Sequence, residues 1–267
     1  MPPRNTLIII KGAGDIATGV AHRLHRCGYA LLMLELERPT AIRRTVAFSQ
    51  AMYDGQATVE GITAERASLD TFRQVVAEGR VPVVTGAETE RLEALAPAAF
   101  VEATLSKKNT GLTRRAGRTT LALGPGYVAG QDADAVVETN RGHFLGRLIL
   151  EGTAEANTGQ PGLIGGYDRE RLLLAPAAGE AAFTAQIGQA VTAGETLGRV
   201  GDAPITAAIG GVLRGALQNG LTVPQNFKIG DIDPRPEAGA FIHTPSDKAR
   251  AVAGGVLEGL LYFGVTP

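Results

Sequence analysis

Apolar residues fall along this chain in two textures, and each predicts a different architecture. Residues 6–11 (TLIIIK) form an unbroken, β-branched run, as expected of a strand buried on both faces. Ile16, Val20 and Leu24 then recur at helical spacing, and Gly28 is placed to end that helix. A second apolar run covers residues 30–36. Strand, glycine turn, helix and strand in quick succession make one βαβ unit. Beyond it the pattern predicts a hairpin over 56–65 turning at Gly61, helices over 69–78 and 88–95, and strands over 81–85 and 99–105. This alternation predicts an α/β domain over residues 1–120, a Rossmann-like parallel sheet with helices on both faces.

From residue 121 to 245 the apolar runs shorten and glycine interrupts them, a β-rich texture. Residues 187–197 (IGQAVTAGETL) are echoed loosely by residues 216–229, with Gly220, Val223 and Ile229 in matching places. Segment 172–233 therefore resembles the barrel-sandwich hybrid of biotinyl and lipoyl domains. The intervening turn at 200–204 (VGDAP) has no lysine, which argues against a swinging-arm carrier. A closing C-terminal helix is predicted over 246–267, with Ser246 as cap and Ala249, Val252, Val256, Leu260 and Leu261 on its apolar side. Such a helix could dock on a domain or on a second copy, so a homodimer is compatible with the pattern.

Composition narrows the function classes. With 26 basic and 27 acidic residues the net charge is −1, which offers no field for nucleic acid or a membrane surface. Residues 7–10 are far too few to span a bilayer, and the first five residues lack a leader pattern, so a cytoplasmic protein is expected. The single cysteine, Cys27, rules out an internal disulfide framework and reads as a buried structural thiol. No metal-ligand spacing and no nucleophile–base arrangement is visible, and the four histidines do not cluster.

Candidate chemistry concentrates after predicted strands. Gly12, Ala13, Gly14, Asp15, Ile16 and Ala17 fit Gly-x-Gly-x-x-Gly/Ala, in which glycines allow a tight turn and helix N–H groups hold a phosphate. Glu35, 21 residues past Gly14 at the end of the second strand, stands where a ribose-binding carboxylate is expected. Arg43 and Arg44 follow and could pair a phosphate through their planar forks. Lys107 and Lys108 lie just beyond another strand's carboxyl end, the edge at which open sheets bind ligands. Glu138, Arg141 and His143 bring an acid, a cation and an imidazole within six positions. Lys107, His143 and Glu138 are the candidate catalytic residues.

Six stretches carry a resemblance over almost the whole chain: IKGAGDIATGVAHRL (10–24), PTAIRRTVAFS (39–49), KKNTG (107–111), GPGY (124–127), ETNRGH (138–143) and KIGDIDPR (228–235). Together they resemble the YqeB family. That resemblance implies an accessory role in the maturation of molybdenum hydroxylases, in a system often called selenium-dependent. It implies as partners a client hydroxylase or other cofactor-maturation proteins. A nucleotide or the dinucleotide form of the molybdenum cofactor would then occupy the first domain. The alternative is an NAD(P)-dependent oxidoreductase acting on a small substrate.

Overall fold

A computed structural model describes residues 5–86 and 89–267. Residues 1–4, within the segment that was expected to lack a leader pattern, and residues 87–88, at the head of an expected helix, lie outside the described residues. The chain divides into two compact units, one of residues 1–39, 47–158 and 245–267, the other of residues 40–46 and 159–244.

The first unit is built on one sheet. Its strands are β1 (Leu7–Lys11), β2 (Ala30–Glu35), β3 (Gln56–Val59), β4 (Ile62–Ala67), β5 (Val81–Thr85), β6 (Ala99–Glu102), β7 (Thr119–Leu123), β9 (Ala135–Val137) and β10 (Leu148–Ile149). A separate antiparallel pair joins β8 (Val128–Ala129) to β11 (Gly152–Thr153). Helices α1 (Asp15–Arg26), α2 (Ala51–Asp54), α3 (Phe72–Ala77), α4 (Thr89–Glu93) and α5 (Asp247–Tyr262) complete it. Strand order is β10-β9-β7-β6-β1-β2-β5-β4-β3. The strands from β4 to β9 pair in parallel, whereas the edge strands β3 and β10 pair antiparallel.

Alternation along β1 divides the core. Ile8 and Ile10 face Val20 and Leu24 of α1 and Val252, Val256 and Leu260 of α5. Leu7 and Ile9 face Phe72 and Leu92 on the opposite side. Helices α1 and α5 meet closely: a Cβ on Gly19 would lie 2.8 Å from the Ala249 Cβ, so only a hydrogen fits there. The start of α5 is capped by Ser246, whose side chain accepts the Ala249 N–H at 3.2 Å. Ser246→Ala is expected to cost about 1 kcal/mol of stability, read by thermal unfolding; an unchanged midpoint would show that α5 does not depend on this cap.

The Rossmann-like expectation is corrected by this architecture. The sheet is mixed, and it runs through β7, β9 and β10, past residue 120 where the first domain was expected to close. The crossovers from β6 to β7 and from β7 to β9 carry no described helix. Their sequences are turn formers (KKNTG, GPGY), and the apolar face that helices would cover there is covered by α5 from the far end of the chain.

In the second unit, β12 (Leu172–Leu174), β14 (Ala190–Val191), β17 (Gly211–Ala216) and β19 (Lys228–Asp233) form one antiparallel sheet, in the order β12-β19-β17-β14. The other is β16-β15-β13-β18, from β13 (Gly179–Phe183), β15 (Thr196–Val200), β16 (Ala203–Thr206) and β18 (Leu221–Val223). One core of Leu173, Val191, Leu197, Leu213 and Ile232 draws on both sheets. A Rossmann-like sheet paired with a barrel-sandwich hybrid is thus replaced by a nine-stranded mixed sheet and two four-stranded antiparallel sheets.

Candidate ligand site at the carboxyl edge of the sheet

Parallel strands end together, so the loops after β1, β6, β7 and β9 gather at one edge of the first unit. Gly12 leaves β1 with φ +101°, and a Cβ there would lie 3.1 Å from the Ala103 carbonyl oxygen of the neighbouring loop. The loop is then braced from behind. The Ser49 N–H donates to the Ala13 carbonyl at 2.8 Å, the Thr18 hydroxyl donates to the same carbonyl, and the Phe48 N–H donates to that hydroxyl. Around Gly14 a Cβ would meet nothing within 4 Å, so the turn opens there.

Glu35 serves this loop. One carboxylate oxygen accepts the Ala13 N–H at 3.1 Å and the other accepts the Leu36 N–H at 2.8 Å. Burial pushes its carboxyl above the usual carboxylate range, against those two hydrogen bonds. A carboxylate committed in this way positions the glycine turn. Asp15 accepts the Ile16 N–H at 2.9 Å, at the first turn of α1.

Beside it, buried Glu102 at the end of β6 ties two loops to β1. It pairs with the Lys11 ammonium at 3.0 Å and accepts the Thr104 hydroxyl at 2.6 Å and the Thr110 hydroxyl at 3.0 Å. Leu105 and Lys107 both take left-handed backbone conformations, at φ +54° and +63°. Gly126 packs on this loop so tightly that a Cβ would lie 2.5 Å from the Lys108 nitrogen. Gly124 packs likewise on Thr139. The Lys107–Lys108 loop, the Gly124–Gly126 turn and the Glu138 loop therefore form one body.

Glu138 is buried, and its carboxylate accepts the N–H groups of Thr139, Asn140 and Glu155 at 2.6–2.8 Å. Arg141 reaches the head of α5 and pairs with Asp247 at 2.8 Å. The next residue, Lys248, is half-buried, and no carboxylate lies within ion-pairing distance of it among the described residues. Burial depresses its pKa first and the Arg141 charge second; Asp15 raises it, Lys107 lowers it again, and Glu138 raises it. The first turn of α1, the lysine loop, the Glu138 loop and the head of α5 thus share one electrostatic field.

Arg43 and Arg44 belong to the second unit. There the Arg44 guanidinium donates to the Ala216 carbonyl at 2.8 Å and to Gln218 at 2.9 Å, and buried Arg43 reaches the Thr244 carbonyl at 3.5 Å. These contacts are made within the second unit. His143 is exposed, edge-on to the Phe144 ring. Cys27 is exposed as well, against the expectation of burial. Sequence reasoning missed Lys248, because a lysine in the first turn of a C-terminal helix carries no signal until that helix is known to start beside the first glycine turn. Among the described residues no group of three or more His, Cys, Asp or Glu side chains could hold a metal ion, and no helix is long and apolar enough to cross a membrane.

No protein-family model matches the chain. It is 47% identical over 261 residues, 97% of its length, to the uncharacterized protein YqeB of Escherichia coli K12. The chain spans about half the length (48%) of that curated relative. Among solved structures it is similar to the ectoine utilization protein EutE (DoeB) of Ruegeria pomeroyi, at 10% identity and TM-score 0.27 over 87% of this chain and 86% of that one. A succinylglutamate desuccinylase/aspartoacylase of Rhodobacter sphaeroides matches at 14% identity and TM-score 0.28 over the same shares. At such scores the overlaps carry no activity across to this chain.

The comparisons give the expected maturation role no support. The matched solved structures are described as an ectoine utilization protein and as succinylglutamate desuccinylase or desuccinylase/aspartoacylase proteins, the YqeB relative is uncharacterized, and none is described as a molybdenum or selenium maturation factor. The maturation role is withdrawn, with its nucleotide or molybdenum cofactor dinucleotide. So is the NAD(P)-dependent alternative: the carboxylate expected on a ribose braces the loop, and the arginines expected on a phosphate brace the other unit.

Proposed function

We propose that the carboxyl edge of the nine-stranded sheet binds a small anionic molecule, a carboxylate or a phosphate ester. Gly12, Ala13, Gly14, Asp15 and Ile16 form its floor, and Lys248 and Lys107 provide the charge. Lys248 is the observation that carries this reading. A half-buried ammonium outside ion-pairing distance of any described carboxylate has lost hydration; the Arg141 and Lys107 charges act against it, and the Asp15 and Glu138 charges offset them only in part. An anion would supply the missing partner, and the open turn at Gly14 leaves room for it. The helix N-terminus beneath adds a favourable dipole.

The sign of the pH dependence follows. Lys248 loses its proton at a lower pH than an exposed lysine, so anion affinity falls as pH rises through that depressed pKa. Binding restores the charge, and proton uptake accompanies it in this range. Calorimetric titration with inorganic phosphate and with malonate, in buffers of different ionisation enthalpy, measures both effects. Lys248→Gln is expected to weaken binding about tenfold or more, the loss of one charge-assisted contact, and to abolish the proton uptake. Equal affinity in the variant, with an unchanged melting temperature, would refute the assignment.

A further inference from the structure

The opposite edge of the same sheet holds a second feature, which the carboxyl-edge site does not use. Where β6 and β7 begin, a cavity of about 580 Å³ is lined by Arg114, Arg115, Arg118, Asp134, Phe263 and Val265, among others. That size falls within the roughly 300–1,000 Å³ of small-molecule sites. The arginines are not equivalent. Arg114 is committed to Asp134 at 2.7 Å and to the Gly130 carbonyl at 2.7 Å. Arg115 pairs with Glu93.

Arg118 has no carboxylate partner among the described residues, and its Nε is buried without a hydrogen-bond acceptor. Its guanidinium lies over the Phe100 ring, 5.5 Å from the centroid. That contact and the buried Nε already hold the side chain in place, so a bound anion would require little further ordering of it. Among the described residues three guanidinium groups here meet two carboxylates, which leaves one positive charge for a ligand. Burial and the Arg115 charge both disfavour ionisation of Arg118, and an anion would offset both. Phe263 and Val265 supply an apolar wall beside the charge.

We propose that this cavity is a second ligand site, for a small molecule that joins a carboxylate or phosphate head to an apolar body. The head takes the Arg118 fork and the body lies against Phe263 and Val265. A free inorganic anion would satisfy the arginine and leave the wall uncovered, so the two-part ligand is the better fit.

Amide chemical shifts of the full chain, titrated with phenyl phosphate, 3-phenylpropionate, inorganic phosphate and neutral 3-phenylpropanol, test this. Perturbations are expected at residues 114–119 and 263–265 for one or both of the two-part anions, and the stronger of these identifies the head group. Inorganic phosphate and the alcohol are expected to bind more weakly there. Arg118→Ala should lower affinity at this edge about tenfold or more, Arg118→Lys less, and both should leave phosphate binding at residues 12–16 intact. The lysine variant keeps much of the packed stem and decides the matter if the alanine variant is unstable. Perturbation confined to residues 12–16, or equal affinity in Arg118→Lys and Arg118→Ala to that of the unsubstituted chain, overturns the second site. It leaves the first to stand or fall on Lys248.

Discussion

Asp231→Ala is expected to destabilise the second unit by about 3–5 kcal/mol, the cost of stripping one partner from a buried ion pair. Asp231 is 1% exposed, and both its oxygens are occupied. One takes Arg171, itself almost fully buried, and the other takes the Arg214 fork, with Nε at 2.7 Å. Arg214 reaches on to fully buried Asp233 at 3.5 Å, and Asp233 accepts Arg235 at 2.7 and 2.9 Å. Removing Asp231 leaves Arg171 charged and without that partner, and Arg171 cannot discharge by losing a proton. Against a total of about 5–15 kcal/mol for a typical domain, that loss decides whether the unit folds. The chain has no tryptophan, so urea unfolding followed by far-ultraviolet circular dichroism is the suitable measurement. Asp231→Asn, which keeps an acceptor in place, should fall between the two. A loss near 1 kcal/mol for the alanine variant would mean that water replaces the carboxylate.

The same network sets an acid limit. Burial alone would raise the Asp233 pKa, but hydrogen bonds from the Arg235 side chain and backbone, with the Arg214 and Arg235 charges, bring it below the ordinary range. A carboxyl depressed in the folded state contributes stability above its unfolded pKa, about 3.9, and that contribution disappears as pH falls through the lower folded value. The second unit should therefore lose stability below about pH 4, and salt should do little to hasten it because the pairs are buried.

Which features were legible in the sequence follows from how far apart their partners lie. Residues 6–36 could be read because the strand, turn and helix are specified by neighbours: the apolar run, Gly12 at φ +101°, and Gly28 at φ +100° just past the end of α1. The hairpin at Gly61 is local in the same sense, with Glu60 and Gly61 both at positive φ between β3 and β4. The reading failed where a local signal has two physical meanings. A glycine turn with a carboxylate 21 residues later fits a ribose contact, but it fits equally a carboxylate that accepts the turn's own N–H, as Glu35 does. Adjacent arginines fit a phosphate, but they fit equally the carbonyls of Ala216 and Thr244, about 170 and 200 residues away. Position in the chain said nothing about α5, whose first turn places Lys248 at the ligand edge and whose later turns replace the missing crossover helices. Small residues mark that crossing, yet Gly19 and Ala249 have meaning as a pair only after the two helices are packed.

Gly126→Ala should damage both stability and ligand binding, because the glycine is where one loop of the site rests on another. At φ +101° any L-residue is strained, by about 1–3 kcal/mol. The added Cβ would also lie 2.5 Å from the Lys108 nitrogen, 2.6 Å from its Cα and 2.7 Å from the Lys107 carbonyl carbon. All three are backbone atoms, so no side chain can swing aside and the lysine loop itself must move. Overpacking of that kind costs about 1–3 kcal/mol more. The loop has little latitude to absorb the shift, since Leu105 and Lys107 are already left-handed and Thr110 is tied to Glu102. Displacing it moves Lys107 away from the anion that it and Lys248 are proposed to hold, so phosphate affinity should fall together with the melting temperature. Gly130→Ala separates the two causes. Gly130 has φ +87° but open space where its Cβ would go, so that variant carries the backbone strain without the collision. If Gly126→Ala were no worse than Gly130→Ala in thermal unfolding and in phosphate titration, the packing of the glycine turn on the lysine loop would not be what shapes this edge of the sheet.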